Sequence, residues 1–198
     1  NVARTVQVME DAGVAGIHLE DQVNPKRCGH LDGKEVVDEQ TALKRIRAAA
    51  SARRDPDFLI MARTDANATD GMDEAIARAR AFAEIGADIT FLEAPRNEDE
   101  MRRYCSDVPG PKMANMVEGG TTPIQGKDDL QNIGYSFVIF PGGIVRALLK
   151  SMEDYYASLY ATGSNKAFSD RMYDFGTLNE KLGTDAILER GRRYEEGS

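Results

Sequence analysis

The stretch Gly16-Ile17-His18-Leu19-Glu20-Asp21-Gln22-Val23-Asn24-Pro25-Lys26-Arg27-Cys28-Gly29-His30 gathers several side chains able to do chemistry. An apolar run ends on two carboxylates, Glu20 and Asp21, and passes into a loop holding a thiol, Cys28, among Lys26, Arg27 and His30. Neighbouring cations favour a thiolate, and Gly29 lets the backbone approach a ligand closely. On residue types alone, Cys28 is an acid/base group, a nucleophile, or an exposed cysteine in a basic loop. Further polar residues stand where later apolar runs end: Arg63 and Asp65, then Glu93, then Asn115. Arg63 can hold ligand oxygens by directed hydrogen bonds, or be tied up in a salt bridge with Asp65 or Glu93. Glu93 reads equally as a buried partner of Arg63, and Asn115 as the cap of a turn.

The elements that must position these residues alternate. Short, β-rich apolar runs span 14–19, 58–62, 89–92, 112–116 and 136–140, and helical patterns span 39–53, 72–85, 98–105, 127–132 and 144–161. An amphipathic pattern, Val2, Val6, Met9 and Ala12, precedes the first run and closes at Gly13. Gly86 and Gly134 give the same helix-end punctuation. Strands this apolar, separated by helices, predict a parallel sheet covered on both faces. Either a doubly wound sheet or a (β/α) barrel fits that alternation. Polar residues at the ends of successive strands favour the barrel, whose active site is built at its C-terminal mouth. The expected fold is therefore α/β, a (β/α)8 TIM-type barrel. Five strands do not close eight, so the chain is expected to carry the last five βα units, with about three strands preceding Asn1. Residues 1–161 are read as this partial barrel. Residues 162–198 are read as a helical extension that packs between subunits.

Composition limits the partners. The 198 residues carry a formal net charge of −8, which disfavours nonspecific nucleic-acid binding. No apolar run approaches the roughly 20 residues needed to span a bilayer. Two cysteines, Cys28 and Cys105, read as free thiols in a reducing compartment, so a cytoplasmic location is expected.

Leu19-Glu20-Asp21-Gln22 followed by Lys26-Arg27-Cys28-Gly29-His30 resembles the signature loop of isocitrate and 2-methylisocitrate lyases. Met61-Ala62-Arg63-Thr64-Asp65-Ala66, Phe91-Leu92-Glu93-Ala94-Pro95 and Ala114-Asn115-Met116 continue the likeness in order. From Asn1 to about Gly183 the chain is similar to the isocitrate lyase/phosphoenolpyruvate mutase superfamily, in its 2-methylisocitrate or 2,3-dimethylmalate lyase-like branch. The resemblance implies retro-aldol or retro-Claisen cleavage of a 2-hydroxy di- or tricarboxylate to a 2-oxo acid and a dicarboxylate. Cys28 then protonates the carbanion-like product, and His30 helps build the closed loop, unless its role is only to shape that loop. Gly29, Arg63, Glu93 and Asn115 meet substrate. Arg146, after Pro141-Gly142-Gly143, meets a substrate carboxylate or is a solvated helix arginine.

The same resemblance implies Mg²⁺ (or Mn²⁺). Its direct aspartate ligands are expected upstream of Asn1, with Glu20 reaching the ion through water. It also implies a homo-oligomer, a tetramer or dimer with exchanged C-terminal helices. Asn115-Met116-Val117-Glu118-Gly119-Gly120 is closer to the dimethylmalate branch, and Phe175 falls near a substrate-binding arginine of methylisocitrate lyases, which favours a substituted malate. Rival readings are an oxaloacetate decarboxylase or a phosphonopyruvate/phosphoenolpyruvate mutase-type enzyme, although those branches lack the loop cysteine. A silent scaffold and a dicarboxylate-binding subunit complete the set.

Overall fold

A computed structural model describes residues 1–195. The chain divides into two units, Asn1–Gly143 and Ile144–Ser198, whereas the boundary drawn from the sequence lies at 161/162.

In the first unit, strands and helices alternate as α1 (Val2–Asp11), β1 (Gly16–Glu20), α2 (Glu39–Ala52), β2 (Leu59–Thr64), α3 (Ala66–Thr69), α4 (Met72–Glu84), β3 (Ile89–Leu92), α5 (Glu98–Asp107), β4 (Met113–Asn115), α6 (Lys127–Ile133) and β5 (Phe137–Ile139). Strands β1, β2 and β3 pair in that order, all parallel, with Glu20 opposite Arg63 and Arg63 opposite Phe91. Strands β4 and β5 form a second parallel pair, and a parallel bridge from Thr90 to Lys112 joins the two sets. Each expected strand is present. The last two are shorter than expected, and α3 is a single turn that hydrophobic periodicity cannot resolve.

Local chemistry fixes the helix ends. Asp38 accepts the Thr41 N–H at 2.9 Å and so caps α2, while Asn97 accepts the Glu100 N–H at 2.9 Å and caps α5. Helix α6 ends on Gly134 at φ 118°, where a Cβ would also lie 3.0 Å from Cβ of Cys105. Glycine is needed there for both conformation and room. Cys105 lies half-buried on α5 beside Tyr135, and burial pushes its thiol up to about 11.

Period-two alternation separates the chemistry from the core. Ile17, Leu19, Ile60, Ala62, Leu92 and Ala114 pack toward the helices. The intervening residues therefore point to the opposite face. That face carries Glu20, Arg63, Glu93 and Asn115 at the strand ends, and Met61, Ile89, Phe91 and Met113 pack together below them.

The second unit comprises most of α7 (Gly143–Thr162), a 3-10 turn (Lys166–Arg171), α8 (Phe175–Leu182) and α9 (Thr184–Glu195). Tyr155 meets the edge of Phe168 at 5.4 Å, and Arg171 lies 4.1 Å over the same ring. Ile144, Val145, Leu148, Leu149, Met152, Phe175, Leu182, Ile187 and Leu188 are exposed.

Candidate active site

At the C-terminal strand ends, Arg63 is the hub. Asp65 accepts from its Nε at 2.8 Å and from its Nη2 at 3.0 Å, a bidentate pair that fixes the guanidinium plane. Glu93 lies 3.2 Å from Nη1 and Glu20 lies 3.5 Å from Nε. The Phe91 ring lies beneath, 5.0 Å from the guanidinium carbon, and His18 meets that ring edge-on at 6.3 Å. Burial opposes the charge on Arg63, but the Asp65 hydrogen bonds and the Glu93 charge outweigh it, and its pKa is raised.

Glu93 is almost fully buried. Burial pushes its carboxyl up, yet His30, Arg63 and Asn115 pull it below the ordinary value. Asn115 Nδ2 donates to the two carboxylate oxygens at 3.2 and 3.3 Å. His30 Nε2 comes within 2.9 Å of Oε1, with the ring turned away from good hydrogen-bond alignment. Both the substrate-contact and the salt-bridge readings of Arg63 and Glu93 thus start from one ion-paired cluster. The residue following Glu93, Ala94, adopts φ 55°, and its carbonyl accepts from buried Asn67. Left-handed backbone at a non-glycine residue is uncommon and often accompanies functional sites.

The thiol loop is seated on this cluster. Gly29 packs so tightly that an added Cβ would overlap the Glu93 side chain and lie 2.5 Å from Arg63 Nη2. Cys28 itself is exposed. Lys26 pairs with Glu20 at 3.1 Å, and Arg27 Nη1 donates to the Asp32 carbonyl at 3.4 Å. The two cations expected around the thiol therefore have other partners. Buried Gln22 splints the loop: its amide donates to the Arg27 carbonyl at 3.0 Å and accepts the Arg27 N–H at 2.9 Å.

Asp21 points the other way from Glu20. It accepts from Thr64 Oγ1 at 2.7 Å, from the Asp65 N–H at 2.9 Å and from Arg78 Nη1 at 3.1 Å, locking β1 to β2 and α4. Burial holds its pKa above the ordinary value despite these donors. Its environment is architectural, and Arg78, also bonded to the Val37 carbonyl, is the counterpart that sequence reading missed.

Arg146 lies in the first turns of α7, in the second unit. Among the described residues no group of three or more His, Cys, Asp or Glu side chains could hold a metal. Glu20 is flanked by the cations Lys26 and Arg63. This donor set does not fit direct metal coordination. Among the described residues, Asn115 Oδ1 is buried without a hydrogen-bond partner, and an unpaired polar atom at such a cluster is what a bound ligand would satisfy.

The structure thus seats a thiol loop over an arginine–carboxylate cluster at the strand ends of a parallel α/β scaffold. The family model described as phosphoenolpyruvate phosphomutase matches residues 1–160, and the chain belongs to this phosphoenolpyruvate mutase/isocitrate lyase superfamily. It is 44% identical over 197 residues to 2,3-dimethylmalate lyase of Eubacterium barkeri, covering 100% of this chain and 68% of that protein. It is 48% identical over 183 residues to probable 2-methylisocitrate lyase 1 of Corynebacterium glutamicum, covering 92% of this chain and 60% of the relative. The crystal structure of 2,3-dimethylmalate lyase superposes with TM-score 0.86 at 35% identity, over 97% of this chain and 64% of that one. Oxaloacetate acetylhydrolase bound to 3,3-difluorooxalacetate gives TM-score 0.84 at 33% identity, over 99% of this chain and 65% of that one. Phosphonopyruvate hydrolase, solved with oxalate and Mg²⁺, gives 0.80 at 25%, over 98% of this chain and 67% of that one. No described helix is long and apolar enough to cross a membrane.

Proposed function

We propose that the full-length protein is a carbon–carbon lyase that cleaves a 2-hydroxy di- or tricarboxylate of methylisocitrate or substituted-malate type. The observation that carries this reading is the packing of Gly29 and His30 onto Glu93 and Arg63, which brings the Cys28 loop to the arginine cluster. Arg63 holds the oxygens of the 2-oxo product with the N–H groups that Asp65 leaves unused. Glu93 and Asn115 bind substrate, and the Asn115 Oδ1 acceptor suits a substrate hydroxyl. Arg146 meets a distal carboxylate.

As the carbon–carbon bond breaks, the substrate hydroxyl gives up its proton to solvent and becomes the carbonyl of the 2-oxo product. The bond's electron pair stays on the departing dicarboxylate, the Cys28 S–H supplies the proton there, and the thiolate regains a proton from solvent when the loop opens. Water is excluded by the loop. The requirement for Mg²⁺ (or Mn²⁺) is supported by the neighbour solved with that ion. In this reading Glu20 acts through water, and the described residues offer no cluster of direct ligands. The reading also keeps an eight-stranded TIM-type barrel, 162–198 as a subunit-bridging extension, a homotetramer or dimer, and a cytoplasmic location.

The test is release of 2-oxo acid from 2-methylisocitrate, 2,3-dimethylmalate and related malates by the full-length protein with Mg²⁺. Similarity to oxaloacetate acetylhydrolase puts oxaloacetate on the same panel, with acetate and CO₂ as separate readouts. Turnover of oxaloacetate or phosphonopyruvate alone selects the decarboxylase, hydrolase or mutase alternatives. Binding without turnover selects the dicarboxylate-binding subunit, and neither binding nor turnover selects the scaffold.

A further inference from the structure

His30 has a neighbour that the proposed reaction does not use. After β4 the chain turns over residues 117–120, where the Gly120 N–H donates to the Val117 carbonyl at 2.9 Å. The next N–H, of Thr121, donates to His30 Nδ1 at 3.1 Å. Gly120 is pressed against the same ring: a Cβ there would lie 2.7 Å from Nδ1 and 3.0 Å from both Cε1 and the Val117 oxygen. Gly120 is outside the left-handed region, unlike Gly119 at φ 73°. Its need for glycine therefore comes from the imidazole and the turn, not from its own backbone angle.

A nitrogen that accepts an N–H keeps its lone pair, so the neutral ring carries its proton on Nε2. That is the atom beside Glu93. We infer that Gly120 and the Thr121 N–H form a seat that fixes the position and tautomer of His30. The loop after β4 is thereby a positioning element for the Cys28 loop. Two loops far apart in sequence, 21–37 and 116–126, meet through one ring. A cavity of about 210 Å³ beside the ring, lined by Gly29, His30, Asn67, Ala94, Arg96 and Thr121, gives a displaced imidazole room to move. The catalytic consequence rests on the proposed function; the seat itself does not.

The experiment is ¹⁵N-histidine NMR of the full-length protein at mildly alkaline pH. These 198 residues contribute His18 and His30, and the signals lost in His30→Ala are those of His30. The expected His30 signals are an unprotonated Nδ1 and a protonated Nε2. A protonated Nδ1 in the wild type overturns the inference. Gly120→Ala is expected to mix the two tautomers and to speed tryptic cleavage after Lys26 and Arg27 roughly 2- to 10-fold, the opening that loss of one net hydrogen bond allows. In the His30→Ala background the same Gly120→Ala change should add little. An equal effect in both backgrounds assigns Gly120 to folding alone and overturns the inference. If Gly120→Ala does not fold, the wild-type tautomer and the proteolysis of His30→Ala still decide. A wild type that shows the seat but no turnover refutes the lyase reading alone.

Discussion

Gly29 lies directly against Glu93: a Cβ on the glycine would be 2.7 Å from the carboxyl carbon. Neither partner can give way cheaply, because Glu93 is held from three sides by Arg63, Asn115 and His30. Gly29→Ala should therefore lift the Cys28 loop off the site. The expected loss is on the order of 100-fold in kcat, the cost of about an ångström of misplacement. Thermal melting should barely change, since the loop contributes little to the core. Unchanged kinetics would show that the loop does not need this seat.

Cys28→Ser keeps the size and removes a good proton donor. Turnover should fall roughly 100- to 10,000-fold, the usual contribution of a positioned acid, with KM nearly unchanged. Full activity in this variant would exclude the thiol from the chemistry.

Arg63 pairs with Asp65, Glu93 and Glu20 together. Arg63→Met strands buried carboxylates and should destabilise by about 3 kcal/mol, read from urea unfolding midpoints. Arg63→Lys restores charge without the bidentate fork, so it should recover most of that stability but little of the activity. Equal recovery of both would assign the arginine to structure alone.

The pKa of Glu93 is lowered in the fold from its ordinary 4.5. Its ionised form therefore stabilises the protein above that ordinary value, and the contribution fades as pH falls through the lower, folded value. Glu93→Gln should be less stable than wild type near neutrality, with the gap narrowing in acid. Asp21 works with the opposite sign, since its pKa is raised, but it is present in both proteins and cancels in the comparison. Stability curves that stay parallel down to strong acid would contradict this assignment.

Asp21 and Arg78 offer a contrasting pair. Asp21→Ala removes the acceptor of Thr64, Asp65 and Arg78 at once. The loss should reach about 3 kcal/mol or more, because buried Arg78 is left without this partner. Global destabilisation in calorimetry, ahead of any specific kinetic change, is the expected pattern.

Much of this was legible in the residues. Alternation of apolar runs and helical stretches located every strand, and the polar residues ending those runs, Glu20, Arg63, Glu93 and Asn115, do converge. Asp21 was harder: adjacent carboxylates look alike in sequence, and only the pleat assigns one to the site and the other to the scaffold. Gln22 stood in the signature motif without a role of its own, and Arg78 gave no signal, since their roles arise from tertiary contacts with Arg27 and Val37. The pairing of Gly120 with His30 spans ninety residues and leaves no local pattern beyond a double glycine. Lys26 and Arg27 engage Glu20 and the Asp32 carbonyl, contacts that charge next to a thiol in sequence does not announce.

The burial of Cys105 has a practical consequence. With its thiol pushed up to about 11 and enclosed beside Tyr135, it is a poor target for alkylating reagents, whereas Cys28 stands open to solvent. Of the two cysteines in these 198 residues, the readily labelled one thus lies on the loop that covers the site. A fluorophore or spin probe attached there would report that loop's excursions directly, without an engineered cysteine on the loop.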